Sequence, residues 1–375
     1  MRNPSRGEMT TRSRVAPWMV PGLIAYFAVR VATMTFMVIR ALVDHLSLSA
    51  QLRQWDGRWF LLQAQNIPSH LPYVDGHVAQ NPIAFFPFFP WLIRLSHLYL
   101  HLPLVVAGAA LASVSGAVAL ACVAYLAREI GGDLVARRTG ILLALSPGAF
   151  VFSLIYSEGF FLSFSALALV ALWRGTWRSA ALWALLATAT SPLGLCLSVP
   201  AAIVIVRQWR AGERPRAIVM MVAPPVAFLS YLLYLWRHTG QPQAWLLTER
   251  GGWHSYFTLR FSAHVVWVFL ANPVAPTLTQ HLLFWCTVIA IALCVVLVRS
   301  GLPTEVISYG LASTFLSACS APIGLRPRFL LCAYPLVIGV STALPGRWWR
   351  PTWIVSALFL TAMTVEEFVS SAIFP

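Results

Sequence analysis

The chain has 375 residues, of which 59% are hydrophobic and 10% are charged, whereas roughly 25% are charged in a typical soluble domain. Several continuous apolar runs reach the roughly 20 residues that a helix needs to cross a bilayer, which excludes a soluble fold and an alternating membrane barrel. The net charge of +14 comes from basic residues scattered over short loops, so it indicates membrane topology and anionic lipid rather than nucleic acid. We therefore predict an all-α polytopic membrane protein.

The first predicted span covers about residues 16–42 and follows a basic stretch, residues 2–14, that indicates a cytoplasmic N-terminus by the positive-inside rule. Arg30 lies too deep in this span to reach either surface, so we expect it to face the bundle interior or a polar cavity. A large external loop, about 44–102, comes next. Its second half, Ile83–Leu100, is predicted to form a short amphipathic helix that lies on the membrane.

The external loop contains the segment Gln54-Trp55-Asp56-Gly57-Arg58-Trp59-Phe60, which places a carboxylate between two tryptophans just after a membrane helix ends. This placement suits a base that works at the bilayer surface. In the alternative interpretation, the tryptophans anchor the loop in the headgroup layer and Asp56 caps a helix. The local sequence leaves both interpretations open.

The rest of the chain is predicted to bring the number of membrane segments to about eleven. Residues 179–206 have the length of one helix, yet basic loops flank both ends, so we predict two short helices that meet at an outward-pointing tip, Thr190-Ser191-Pro192. Such a hairpin has to be shielded by protein or line a cavity. The other spans are predicted at about 103–127, 139–156, 160–173, 217–236, 281–298, 303–320, 329–344 and 353–370.

Acidic and basic side chains gather on the predicted outer face. They are Asp56, Asp75, Glu158, Glu249, Arg250, Arg326 and Arg328, together with His70 and His77. Because arginine binds phosphate through two parallel hydrogen bonds, this combination favours chemistry on a phosphate-bearing lipid. In the alternative interpretation, Glu158 caps the helix that follows it, and Arg326 and Arg328 only anchor the outer interface.

Other polar or reactive residues are interpreted as structural. His70, Asp75 and His77 do not have the spacing of a standard zinc site, so we predict that the histidines lie on a loop surface. Glu366 and Glu367 are predicted at a helix cap or at the lipid edge. The six cysteines lie in or beside apolar runs without a Cys-x-x-Cys pair, which indicates small buried residues rather than a metal site or disulfides.

Several of these segments together resemble the PIG-V-like mannosyltransferases, which belong to the C superfamily of integral-membrane glycosyltransferases. The resemblance to the first external loop of that family rests on Trp55-Asp56-Gly57-Arg58-Trp59-Phe60, Asn81-Pro82 and Ala84-Phe85-Phe86-Pro87-Phe88-Phe89-Pro90. The later markers that it resembles are Ser146-Pro147, Tyr156-Ser157-Glu158, Thr190-Ser191-Pro192 and Arg328-Phe329. In that family an arginine usually precedes the proline of the hairpin tip, whereas here the residue is Ser191.

The resemblance implies a single glycosyltransferase domain over residues 1–375, in the plasma membrane, with an external active site. It implies a donor sugar, usually mannose, linked to polyprenyl phosphate, and it implies that Asp56 is the essential acid. The acceptor hydroxyl could belong to a glycolipid, a lipoglycan or a protein. The alternatives are a transporter or flippase of a lipid-linked sugar, which would need polar residues near the bilayer midplane and an internal repeat, and a non-catalytic membrane subunit.

A sugar leaves readily from a phosphodiester, so the reaction needs a base for the acceptor hydroxyl and cations for the departing phosphate. Asp56 is predicted to be the base of an inverting transfer, and Glu158 is predicted to orient the acceptor. The predicted substrate-binding residues are Trp55, Arg58, Arg326 and Arg328, of which the last two would stabilise the departing phosphate. No cofactor is predicted with certainty, and a divalent cation that bridges Asp56, Glu158 and phosphate remains open.

Overall fold

The computed structural model describes residues 16–271 and 277–369. Within these ranges the chain is mostly helical, and six helices are long and apolar enough to span a membrane. The bent pair Pro147–Ser153 and Glu158–Trp173 would raise that number to seven. The prediction of an all-α polytopic membrane fold is confirmed, whereas the predicted number of segments is not. The N-terminal arginines of residues 2–14 lie outside the described residues.

The α-helices of the described residues are numbered in chain order. They are α1 Val20–Val43, α2 Leu48–Leu52, α3 Asp56–Gln65, α4 Phe88–Leu100, α5 Leu104–Ala144, α6 Glu158–Trp173, α7 Trp177–Thr190 and α8 Ser198–Arg210. The second half contains α9 Ile218–Thr239, α10 Ala244–Leu247, α11 Phe261–Ala271, α12 Leu278–Arg299, α13 Thr304–Ala318, α14 Pro327–Cys332, α15 Pro335–Ala343 and α16 Gly346–Val369. Short 3-10 helices cover Pro82–Ala84, Pro147–Ser153 and Pro192–Leu197, and a π-helical turn covers Thr248–Gly252.

Four very short strands form two antiparallel pairs, of which the second joins loops that are far apart in the sequence. Strands β1, Tyr73–Val74, and β2, His77–Val78, form an antiparallel hairpin within the first loop. Strands β3, Tyr256–Phe257, and β4, Ser320–Ala321, pair in the same way and connect the loop before α11 to the loop after α13. The second pair therefore fixes one loop of the later half against another.

Several predicted spans are interrupted, which accounts for the smaller number of long helices. Helix α5 consists of two helices joined at Gly132. The φ of 81° and ψ of −178° at Gly132 are non-helical, and glycine adopts such a conformation readily. The predicted span 139–156 comprises the end of α5 and the 3-10 helix after it, and the predicted span 329–344 is divided into α14 and α15. These pieces are as apolar as continuous helices, so hydropathy alone does not reveal the breaks.

The break that we predicted inside residues 179–206 is present. Helix α7 ends at Thr190, and the next helical turn starts at Pro192 after an extended Ser191. The Ser191 hydroxyl accepts a hydrogen bond from the Leu193 backbone N–H at 3.4 Å. Helix α7 packs against α6 and α9, so protein shields this broken segment. The outward direction of its tip stays a prediction.

The predicted interfacial helix begins later than the sequence suggested, at Phe88, because Pro82–Ala84 forms a separate 3-10 turn. Helix α4 buries Phe89 and Ile93 and exposes Trp91. A helix with one buried face and one exposed apolar face is compatible with the membrane surface, and its location there stays a prediction.

Arg30 faces the interior of the bundle, as predicted. Its Nη1 donates a hydrogen bond to the Ala149 carbonyl at 2.8 Å, and its guanidinium lies 5.0 Å from the centre of the Tyr26 ring. Ala149 belongs to the 3-10 helix Pro147–Ser153, which the main hydrophobic core surrounds. This intramembrane charge therefore has a structural partner, a carbonyl of a broken helix.

Candidate active site

Asp56 is the first residue of α3, and the local sequence fixes its position tightly. The preceding residue, Trp55, has φ 52° and ψ −125°, a conformation that is costly for a residue with a side chain. The following residue, Gly57, packs so closely that an added Cβ would lie 2.8 Å from the Leu52 carbonyl oxygen. Trp55 rather than Asp56 occupies the cap position of α3, so the carboxylate is not simply a helix cap.

Arg328 reaches Asp56 from the other end of the sequence. It is the second residue of α14, a helix that begins with a favourable proline, Pro327. An added Cβ on Gly148 would lie 2.3 Å from the Pro327 carbonyl oxygen, so only glycine in the 3-10 helix allows this approach. The Nη1 of Arg328 donates a hydrogen bond to Asp56 Oδ2, across 272 positions of sequence.

A second carboxylate, Glu158, lies near the same guanidinium. Its Oε1 is 3.9 Å from Arg328 Nη1, and the side chains of Arg328, Asp56 and Glu158 are only 12%, 18% and 12% exposed. Within the described chain, Glu158 Oε2 is buried without a hydrogen-bond partner. The Arg328 guanidinium also lies 5.5 Å from the centre of the Tyr156 ring. The Arg328 guanidinium is thus held between two carboxylates and an aromatic ring, and the Glu158 carboxylate can still accept a hydrogen bond.

These three side chains line a cavity of about 830 Å³. Its walls combine charged groups with aromatic rings and include the helix break at Thr190-Ser191-Pro192. The aromatic lining residues are Phe60, Phe85, Phe86, Phe228, Trp245, Tyr256, Phe257 and Phe329. A cavity of this size with a few convergent polar groups on apolar walls is typical of a small-molecule site.

The loop after α9 supplies another charged wall, with Glu249 and Arg250. Burial raises the pKa of the Glu249 carboxyl to about 7, against a smaller opposing effect of a hydrogen bond with Ser255. The sequence placed both charged residues on the outer face but gave neither a role in the site. Their predicted location in an external loop was the one available signal, since burial depends on contacts between distant segments.

The first loop is fastened to this wall by buried polar contacts. Asn81 is 2% exposed, and its Nδ2 donates a hydrogen bond to Thr248 Oγ1 at 3.1 Å. The Trp253 ring N–H donates to the Asn81 carbonyl, and the Trp245 ring N–H donates to the Ala84 carbonyl, both at 3.3 Å. These contacts set the position of the Asp56 loop relative to the loop after α9.

Trp55, Arg58 and Arg326, three of the predicted substrate-binding residues, do not line this cavity. Trp55 packs against the main core, and Arg58 is exposed with its guanidinium 4.5 Å from the centre of the Trp59 ring. Arg326 is 7% exposed, its Nε donates to the Ile323 carbonyl at 2.9 Å, and burial lowers its pKa to about 10. Their part in substrate binding stays a prediction.

Glu367 differs from the expected lipid-edge location, because it is only 3% exposed. Its charge interacts with those of Arg328 and Asp56, so the last helix adds an acid behind the site. By contrast, His77 and Asp75 are exposed on the β1–β2 hairpin. Within the described residues, no group of three or more His, Cys, Asp or Glu side chains is arranged to hold a metal ion.

Neither a protein-family profile nor a curated protein sequence matches this chain. Two solved structures of ArnT from Cupriavidus metallidurans do match. The apo form aligns at 15% identity with a TM-score of 0.52, and the form bound to undecaprenyl phosphate aligns at 14% identity with a TM-score of 0.51. Each alignment covers 88% of this chain and 63% of ArnT, so this chain spans less than two thirds of the ArnT length. An Archaeoglobus fulgidus oligosaccharyltransferase, AglB, in complex with an inhibitory peptide and a dolichol-phosphate, aligns with a TM-score of 0.46 at 12% identity, over 91% and 56% of the two chains. The ArnT likeness concerns the fold alone: this chain shares the fold of the aligned part of ArnT.

Proposed function

We propose that this protein transfers a hexose, mannose by its resemblance to the PIG-V-like enzymes, from a polyprenyl-phosphate donor to an acceptor hydroxyl. The reaction would take place at the external face of the plasma membrane, within one domain that spans the chain. The observation that carries the proposal is the cluster of Asp56, Arg328 and Glu158 on the wall of an aromatic-lined cavity. The shared fold, and the undecaprenyl phosphate bound by ArnT, support a lipid-phosphate substrate.

The chemistry requires one bond to form and one to break. The acceptor oxygen attacks the anomeric carbon, and the bond between that carbon and the phosphate oxygen breaks, with its electron pair leaving on the polyprenyl phosphate. Asp56 takes the proton of the acceptor hydroxyl, and attack opposite the leaving group inverts the anomeric centre. Arg328 donates to the phosphate oxygens as negative charge develops there, because a guanidinium can bind two of them at once.

The ion pair between Asp56 and Arg328 is compatible with Asp56 as the base and with Arg328 as the group that binds the phosphate. Arg328 occupies Oδ2 of Asp56, and a carboxylate has a second oxygen with which to accept the hydroxyl proton. Glu158, which keeps an unused acceptor oxygen, is placed to bind a further hydroxyl of the acceptor or of the donor sugar. Substrate binding by Trp55, Arg58 and Arg326 remains part of the proposal. Asp56 and Glu158 would hold a divalent cation, which would supply positive charge for the departing phosphate.

The transporter alternative would need polar residues near the bilayer midplane and an internal repeat. Arg30, a charge deep in the first predicted span, is engaged with the Ala149 carbonyl and the Tyr26 ring, which favours a structural role for it. The test of the proposal is to incubate membranes containing the protein with labelled polyprenyl-phosphate-mannose and to identify the labelled product. Polyprenyl-phosphate-glucose serves as the matched donor. Membranes that transfer neither sugar would refute the proposal, and preferential transfer of glucose would correct the choice of mannose.

A further inference from the structure

The proposed reaction leaves two charged residues of the cavity without a role, Arg250 and Glu249, and Glu249 is the one that can accept hydrogen bonds from a substrate. This residue lies in the π-helical turn Thr248–Gly252, a rare conformation that is frequent at functional sites. Its side chain lines the same cavity as Asp56 and Arg328.

The position of Glu249 is rigidly defined. Thr248 is fully buried and accepts the hydrogen bond from Asn81 of the first loop. An added Cβ on Gly252 would lie 2.7 Å from the Ala79 carbonyl oxygen, so the π-turn and the first loop are in close contact. A carboxylate held in this way is oriented before a ligand arrives, which binding sites require.

Glu249 also differs from Asp56 in its surroundings. Asp56 is paired with Arg328, whereas no cationic side chain of the described residues lies within 4.0 Å of the Glu249 carboxylate. Charged or titratable groups on the surrounding segments are Arg250 on the same turn, His254 just after it, His77 on the packed strand β2, Asp56 across the cavity and Tyr231 on α9. Hydrogen bonding with Ser255 leaves further acceptor capacity on the carboxylate.

The charge of the cavity restricts what can bind beside it. Three carboxylates, Asp56, Glu158 and Glu249, face two arginines, Arg328 and Arg250, and the donor phosphate would occupy Arg328. A second anion would be repelled, whereas an uncharged sugar brings hydroxyl donors that carboxylates accept. The aromatic walls suit the apolar face of a sugar ring.

We propose that Glu249 binds the acceptor, which is an uncharged sugar, by accepting hydrogen bonds from hydroxyls next to the one that Asp56 deprotonates. The proposal rests on the proposed glycosyl transfer and adds to it a specificity-determining residue and an acceptor class. Loss of a hydrogen bond to a charged group costs binding by a factor of about 10 to 100. That factor should appear in the KM for the acceptor and not in the KM for the donor.

The experiment uses the full-length protein, labelled polyprenyl-phosphate-mannose, and two soluble acceptors of equal chain length, octyl mannoside and octyl glucuronide. The wild type should prefer the uncharged mannoside. Glu249→Gln should raise the KM for octyl mannoside by about 10 to 100-fold, leave the donor KM unchanged and narrow the preference for the mannoside over the glucuronide. Glu213→Gln, in an exposed loop, is the matched control.

The pH profile provides a readout that a merely structural role would not give. Because the ionised carboxylate is the better acceptor, kcat/KM for octyl mannoside should rise as the pH increases through about 7 in the wild type. Glu249→Asp should keep this rise, and Glu249→Gln should reduce it without abolishing all pH dependence, because Glu158 remains as another acid of the cavity. Elution of each variant as a single peak in size-exclusion chromatography confirms that the protein is folded.

Three outcomes separate the inference from the function on which it rests. An unchanged acceptor KM and pH profile in Glu249→Gln would overturn the inference while the transfer activity stands. A wild type that uses membrane acceptors or octyl glucuronide but never octyl mannoside would overturn it as well. A wild type that transfers sugar to no acceptor, including those in native membranes, would instead refute the proposed function.

Discussion

Replacing Asp56 with asparagine keeps the size of the side chain but removes its charge and its basicity. In the wild type, Asp56 is 18% exposed and its Oδ2 binds Arg328, so the substitution acts on a largely buried ion pair. Because asparagine tolerates helix starts about as well as aspartate, a purely structural carboxylate would be replaced at little cost. A general base would not be replaced in this way.

Two magnitudes follow from this geometry. Loss of a general base commonly lowers the rate by a factor of about 10² to 10⁴, and Asp56→Asn should lower transfer within that range. Removal of one partner from a buried ion pair can cost about 3–5 kcal/mol when the other charge is left uncompensated. Here Glu158 remains 3.9 Å from Arg328, so the loss of stability should fall below that range.

The assay compares initial rates of labelled mannose transfer, normalised to the amount of protein in the membrane. Asp75→Asn is the matched control, because Asp75 is exposed in the β1–β2 turn with φ 50°, a conformation that asparagine also adopts readily. Asp75→Asn should transfer at the wild-type rate. Near-normal transfer by Asp56→Asn at normal abundance would refute the role of Asp56 as the base, and Glu158 would become the candidate.

Two further predictions concern the phosphate site and the topology. Arg328→Lys keeps the charge but loses the planar fork that binds two phosphate oxygens, so the donor KM should rise by about tenfold to a hundredfold, whereas Arg326→Lys, outside the cavity lining, should have a smaller effect. In a background without the native cysteines, a cysteine at the exposed Gln243 should react with an impermeant thiol reagent from outside intact cells, and one at the exposed Glu213 should not.

Each of these predictions has a contradicting result. A larger donor KM effect at Arg326 than at Arg328 would move the phosphate site away from the Asp56 cavity. Labelling of the cysteine at Glu213 but not at Gln243 would reverse the orientation and place the cavity on the cytoplasmic side.

The sequence was most informative where a local pattern carries the function. The family resemblance predicted three site residues, Asp56, Glu158 and Arg328, and the fold brings them to one cavity. The basic loops on both sides of residues 179–206 predicted the helix break before Pro192. The location of Glu249 on the cavity wall was not predictable, because it arises from contacts between two loops that no single segment encodes.

The predicted number of membrane segments was not confirmed, for a related reason. Short helices such as α14 and α15 have the hydropathy of a continuous span, and the turn between them is set by tertiary packing. Glu367 was misplaced at the lipid edge because its position near a helix end suggested exposure, whereas neighbouring helices cover it. Local composition thus predicts that a segment enters the membrane more reliably than it predicts how the segment is broken.

The separation of Asp56 and Arg328 along the chain has a consequence for biogenesis. The two residues are 272 positions apart, so α3 is synthesised long before α14. Until then the carboxylate has no guanidinium to offset the cost of burial, and it has to remain hydrated at the bilayer surface. The cavity is therefore completed late in biogenesis. In a nascent chain that stops before Arg328, the Asp56 carboxylate is exposed to water, whereas in the mature protein it belongs to a largely buried ion pair.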